Sequence, residues 1–304
     1  MSVRNALLTV IALVAVVFIN GWRQSASGSS APVEGRGRQP SPLQLAIGFV
    51  TNFFDTLGIG SFATTTALYK LLRVVPDDRL VGTLVVGHSL PVVAQAFIFL
   101  VAVQVDTLVL ASLIAISVLG GWVGAAVASK LPLRPIQIFM GVGLLAAAAF
   151  MTMSQLGLFP GGGVSLTLSP GKLAIALTAN FILGGLLMLG IGNYAPTLIL
   201  LSVLGMDPRA AFPIMMSSGA MMAMAGGMRF MKAGRFDTRA ALGLTVGGIP
   251  GVLVAGFVVQ SLPLHVLRWV VVAVVIYAAT MMLRSAFRQV RPRPAVVGAL
   301  RGSG

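Results

Sequence analysis

Cysteine is absent from the 304 residues, which excludes disulfides, thiol catalysis and thiolate metal centres. Charge is nearly as scarce. Only 9% of residues are Asp, Glu, Lys or Arg, against 57% hydrophobic. A water-soluble fold cannot cover itself with so little charge. There are seven acids and two histidines in all. No His/Asp/Glu set has metal-ligand spacing, and no Ser-His-Asp arrangement can be built. Long polar stretches are also missing, so no connection can house a soluble domain.

What the chain does have is apolar runs, with a mean hydropathy of +0.97. Runs long enough to cross a bilayer lie at about 6–21, 80–103, 108–129, 135–153, 210–228, 240–260 and 266–283. The protein is polytopic in a membrane. Its formal charge of +14 does not point to nucleic acid, because the Lys and Arg residues gather at span ends rather than on one patch. That is how topology signals facing anionic lipid are distributed. The 36 glycines and 15 methionines suit close helix packing and adaptable apolar surfaces.

Residues 1–22 form an N-terminal transmembrane anchor. A cleaved signal peptide is the alternative, since Arg4 precedes the apolar run and small residues follow it. Arg23, Arg36 and Arg38 in the Ser/Gly/Pro-rich linker 23–41 resist export and favour the anchor.

The rest divides into a first repeat, 42–155, an inter-repeat loop, 156–170, a second repeat, 171–285, and a basic tail, 286–304. Leu57-Gly58-Ile59-Gly60-Ser61-Phe62-Ala63-Thr64 recurs 132 residues later as Leu189-Gly190-Ile191-Gly192-Asn193-Tyr194-Ala195-Pro196. Asp77-Asp78-Arg79 matches Asp207-Pro208-Arg209, and Asp106-Thr107 matches Asp237-Thr238. Leu131-Pro132-Leu133 matches Leu262-Pro263-Leu264. Landmarks in one order at a nearly constant offset indicate a duplication.

Segments 42–72 and 171–203 are each too long for one span. Thirty-one helical residues reach about 46 Å, against a hydrocarbon core of about 30 Å. The glycines predict a break, with a half-helix on either side. If both broken segments turn back and the N-terminus lies outside, only Arg4, Lys172, Arg209 and Arg268 face out. The other 17 of the 21 basic residues then face in. Letting both segments cross would leave 8 in and 13 out, so the positive-inside bias favours turning back. Each repeat then makes three crossings, and an odd number inverts one half against the other. The expectation is an all-α polytopic membrane protein of two inverted repeats. Each is a broken re-entrant helix pair plus three transmembrane helices, preceded by one extra N-terminal helix. The C-terminus is expected to be cytoplasmic.

A broken helix within the bilayer is tolerated where its backbone faces protein, water or a ligand. Glycine lets a ligand approach the main chain. The half-helix after each break points N–H groups and the positive end of its dipole into the gap. Gly58, Ile59, Gly60 and Ser61, with Gly190, Ile191, Gly192 and Asn193, are therefore the candidate seat of a small anion. Thr64 and Thr197 are further hydroxyl donors, and Thr65, Thr66 and Tyr194 lie nearby. These groups can equally cap their own half-helices.

Asp55 is the only acid well inside an apolar segment, and an intramembrane carboxylate is a functional suspect. It can couple protons, or it can accept hydrogen bonds from the Gly58–Gly60 turn. His88 and Gln95 share a helical face, with Ser217 and Ser218 as the counterpart region. The stripe either lines the path, with His88 as donor or proton carrier, or locks helix packing. Asp77, Asp78, Arg79, Asp207 and Arg209 read as helix caps and interfacial ion pairs.

The repeated Gly-Ile-Gly element, with Pro196 four residues after Gly192, resembles that of the sulfite exporter TauE/SafE family of permeases. The likeness covers about 42–285. Ser61-Phe62 and Asn193-Tyr194 stand where family members carry further glycines, and Thr64 stands where the first proline would be. The resemblance implies transport of sulfite, thiosulfate, sulfonates or related sulfur-containing anions through the inner cell membrane. The chain is thus expected to be a secondary transporter, not an enzyme, working by alternating access with export favoured. Its expected partners are a small anionic substrate and membrane lipid, without nucleic acid or cofactor. Homo-oligomerisation stays open. Two rival readings are an intramembrane lipid-phosphate hydrolase and a cation carrier that uses Asp55 and His88.

Overall fold

The regular structure is helical throughout. A computed structural model describes residues 3–28, 39–57, 59–158, 162–257 and 265–288. In chain order the helices are α1 (Val3–Gly28), α2 (Pro42–Thr56), α3 (Ser61–Leu71), α4 (Asp77–Ala102), α5 (Thr107–Ala128) and α6 (Leu133–Gln155). They continue as α7 (Pro170–Leu187), α8 (Tyr194–Val203), α9 (Pro208–Lys232), α10 (Thr238–Phe257) and α11 (His265–Arg288). Gly58, most of the 23–41 linker, Leu262-Pro263-Leu264 and the tail from 289 lie outside the described residues.

Helix starts follow the capping chemistry in the sequence. Ser41 and Gln44 exchange hydrogen bonds in a capping box at α2, and Pro42 opens the helix. Asp106 accepts from the Val109 N–H at 2.9 Å, Asp207 from Arg209 at 2.8 Å and Asp237 from Ala240 at 2.8 Å. Asp207 is a cap, as read from the sequence. Asp77 forms an ion pair with Lys70 and accepts from Gln137 Nε2 at 2.7 Å, tying α3, α4 and α6 together.

Among the described residues, six helices are long and apolar enough to cross a bilayer: α4, α5, α6, α7, α10 and the Arg4–Ser25 part of α1. The protein is an all-α polytopic membrane protein. Two of the seven expected spans, 210–228 and 266–283, fold as α9 and α11 but fall outside that six. In α9 the apolar run is diluted by glycine, serine and proline. Conversely α7, expected as one arm of a turned-back pair, is 18 residues long and apolar enough to span.

Helix pairing obeys one rule. Match α2–α6 to α7–α11 in order, and the principal contacts map onto one another when the halves are exchanged. α2 packs on α10 as α7 packs on α5, and α4 on α10 as α9 on α5. The pairs α4–α9 and α6–α11 map onto themselves. Lipid offers no hydrophobic gain for helix association, so close backbone packing has to provide it. A Cβ on Gly48 would lie 2.5 Å from Gly243 O, and one on Gly124 would lie 2.5 Å from Gly185 Cα. Glycine is what lets both of these seams close.

α4 carries Pro91 in its interior. Proline has no N–H to give the carbonyl four residues earlier. That carbonyl, on Gly87, instead accepts from Thr245 Oγ1 of α10 at 2.7 Å. α1 packs on α9 and α4 through buried Phe18 and Trp22, while Leu13, Val16 and Val17 stay exposed on its outer face.

Candidate functional site

The two breaks close their preceding helices in the same way. In the first, the Ile59 N–H bonds back to Phe54 O at 3.0 Å. In the second, Ile191 bonds back to Leu186 O at 3.1 Å. Both are five-residue closures at the end of a helix, 132 positions apart. Each break holds a left-handed glycine, but at different places in the motif: Gly60 (φ +89°) follows Ile59, whereas Gly190 (φ +90°) precedes Ile191. That region disfavours any residue with a Cβ. Past the turn, α3 starts at Ser61 and α8 at Tyr194.

The breaks approach each other. A Cβ placed on Gly192 would stand 3.6 Å from the Cβ of Phe62. Between them lies a cavity of about 80 Å³. One buried water needs about 10–15 Å³ on this measure, so a small anion has room. Ile59, Gly60, Ser61 and Phe62 line it from the first break, and Gly190, Gly192, Asn193 and Tyr194 from the second. Asp55 and Leu187 come from the preceding helices, and His88, Met215, Met216 and Gly219 from α4 and α9. The α6 wall is apolar, with Leu144, Phe150 and Met151. Among the described residues no Lys or Arg lines the cavity.

Asp55 and His88 anchor the polar wall. Asp55 Oδ1 accepts from the Ser61 N–H at 2.7 Å, and Oδ2 accepts from Gln95 Nε2 at 3.0 Å. Gln95 Nε2 also lies 3.0 Å from Thr56 Oγ1. The carboxylate therefore sits on the start of α3, just past the turn where hydrogen bonding was expected. His88 Nδ1 is 3.0 Å from Asn52 Oδ1, and its Nε2 is 2.9 Å from Thr65 Oγ1. Asn52 spends its own N–H on Gly48 O at 2.8 Å, so its oxygen can only accept. The proton then belongs on His88 Nδ1, and Nε2 accepts from Thr65.

The remaining candidates do not line the cavity. Thr64 turns its hydroxyl back to Gly60 O and Ser61 O, both at 2.9 Å, as a local cap. Ile191, Thr197, Gln95, Ser217 and Ser218 are also outside the wall. Thr197, Ser217 and Ser218 are buried with hydroxyls that have no protein partner. Gln95 reaches the site only through Asp55. Gly58 falls outside the described residues.

Asn52 went unread in the sequence. It is an intramembrane amide one helical turn before Asp55, so the rule that flags Asp55 would have found it. Phe62, Met215 and Met216 carry no polar signal and can be placed only by the fold.

A protein-family model, described as sulfite exporter TauE/SafE, matches residues 2–151 and 173–303. The chain belongs to the sulfite exporter TauE/SafE family. The match is wider than the 42–285 of the sequence resemblance, because it takes in α1. TauE/SafE proteins are membrane transporters rather than enzymes, and this chain is a multi-pass membrane protein of that kind. Neither a curated protein nor a solved structure matches it.

Proposed function

We propose that this TauE/SafE protein moves a small oxyanion, sulfite or a related sulfur-containing anion or organosulfonate, through the cell membrane by alternating access. One observation carries the reading: both helix breaks line one cavity in which, among the described residues, no Lys or Arg stands. The anion rests between the breaks, against the start of α8 and the main chain of Gly192 and Asn193. Ser61 and Asn193 supply side-chain donors.

The halves are inverted repeats, and α2–α3 and α7–α8 turn back within the bilayer. Two facts support this. The six most extensive helix pairings map onto one another when the halves are exchanged, and the Lys and Arg residues fall 17 to 4 on the two faces when both broken segments turn back, against 8 to 13 when both cross. One half then rocks against the other around a fixed central site. Export needs no coupling ion. An anion leaving a cell that is negative inside gains about 2.3 kcal/mol per charge per 100 mV. The C-terminal tail is cytoplasmic.

Efflux of isotope-labelled sulfite from proteoliposomes tests the reading. An inside-negative potential should accelerate efflux from vesicles bearing the protein, and Gly192→Phe, which fills the cavity, should lower it at least tenfold. Efflux no faster than from protein-free vesicles would overturn the proposal.

A further inference from the structure

The two break tips differ in charge. An N-terminal helix end carries about half a positive elementary charge. At α3 that end is already taken, because Asp55 Oδ1 accepts the Ser61 N–H at 2.7 Å. Gln95 pins the second carboxylate oxygen at 3.0 Å, so the group is fixed over the tip. Both oxygens accept hydrogen bonds. The position 132 residues on is Leu187, which lines the same cavity and carries no charge. At α8 the N-cap Asn193 makes no side-chain capping bond.

We infer that Asp55 is a built-in anion that sets the charge of the cargo: by neutralising the α3 end it leaves the site able to take one negative charge and not two. This rests on the transport reading above and names what that site selects. The arithmetic is simple. Two helix ends supply about +1 in total; Asp55 masks the half at α3, so only about half a positive charge, at α8, is left to hold one anion and none remains for a second. His88 is the other titratable side chain on the cavity wall besides Tyr194, and it is held between Asn52 and Thr65. Among the described residues nothing cationic offsets a second charge on the cargo, and the apolar α6 wall cannot solvate one. A monoanion placed against α8 sits farther from Asp55 than one placed against α3. The carboxylate thus assigns the cargo to the second break as well as limiting its charge.

Methanesulfonate and sulfate make the test, since they differ by a methyl group in place of a charged oxygen. Uptake of each is measured in proteoliposomes bearing the full chain. The wild type should prefer methanesulfonate at least tenfold. Asp55→Asn keeps an acceptor for Ser61 but removes the charge, and should cut that preference to threefold or less by admitting sulfate. Leu187→Asp reproduces the carboxylate at the second tip and should lower uptake of both anions at least tenfold below Leu187→Asn, which adds polarity without charge. Folding of each variant is checked by thermal melting. A folded Asp55→Asn protein with an unchanged ratio would overturn the inference, as would equal uptake by the two Leu187 variants. If the wild type moves neither probe nor sulfite, the transport reading itself fails. If it moves sulfite and the Asp55 ratio stays fixed, only the charge selection fails.

Discussion

Gly192 of the second break faces Phe62 of the first, and a Cβ on the glycine would lie 3.6 Å from the phenylalanine Cβ. That is ordinary van der Waals spacing. Two segments 130 residues apart in sequence are therefore neighbours at the centre of the molecule, and the glycines of the repeated motif play different parts there.

Gly190 and Gly192 should respond differently to alanine. Gly190 has φ +90°, and a Cβ there would lie 2.7 Å from Met140 Cγ. Left-handed strain alone costs about 1–3 kcal/mol, so Gly190→Ala should lower the melting temperature clearly. At Gly192 the φ is not left-handed and the nearest atom is that Phe62 Cβ, so Gly192→Ala should melt close to wild type. Thermal unfolding in detergent compares them.

His88 depends on Asn52 for the partner of Nδ1, at 3.0 Å. Asn52→Ala leaves a buried imidazole N–H unpaired, which costs about 1–3 kcal/mol. Asn52→Asp keeps an acceptor and should recover part of the lost melting temperature. Equal melting of the alanine variant and the wild type would contradict the assigned hydrogen bond.

Thr245 carries a backbone debt that Pro91 creates. Its hydroxyl is 2.7 Å from Gly87 O, which has no helical donor because residue 91 is proline. Thr245→Val should destabilise the protein by about 1–3 kcal/mol, the cost of an orphaned buried carbonyl. Combining it with Pro91→Ala, which restores the helical N–H, should return much of that loss. A double-mutant cycle in melting experiments reads the coupling.

The glycine seams should tolerate little. A Cβ on Gly124 meets Gly185 Cα at 2.5 Å, and one on Gly48 meets Gly243 O at the same distance. Backbone atoms cannot swing aside as a side chain can. Gly124→Val and Gly48→Val should each cost about 1–3 kcal/mol or more through overpacking. Gly21 has nothing within 4 Å of its Cβ position, and Gly21→Ala should be neutral or slightly stabilising in its helix by melting temperature.

The duplication and both breaks were legible because Leu-Gly-Ile-Gly is a backbone instruction. Where φ must be positive the sequence has to show glycine, and Gly60 and Gly190 do. Asp55 was legible as a suspect because a carboxylate in an apolar run is rare. Its partner was harder to read: the carboxylate bonds the Ser61 N–H beyond the turn, and only the path of the chain after Gly60 decides that. Asn52 sits one turn from Asp55, but its partner is His88 on α4, 36 residues on, and nothing local to α2 signals that contact. Thr64 looked like a ligand donor by type, yet its hydroxyl bonds back to Gly60 O and Ser61 O at the start of its own helix. At α7 the span rule alone does not tell a half-helix from a crossing, since 18 apolar residues suit either. Contacts of Phe62, Met215 and Met216 with the cavity have no local signature, since any apolar residue could stand there.

The most direct test of the account uses the absence of native cysteine. The Phe62→Cys, Gly192→Cys double variant places two thiols whose Cβ atoms lie 3.6 Å apart, within the disulfide range of about 3.5–4.5 Å. Mild oxidation in membranes should link residues 62 and 192, seen by mass spectrometry as one bridged peptide pair. If both thiols instead stay free to alkylation and no bridge forms, the two breaks do not meet and the proposed anion site does not exist.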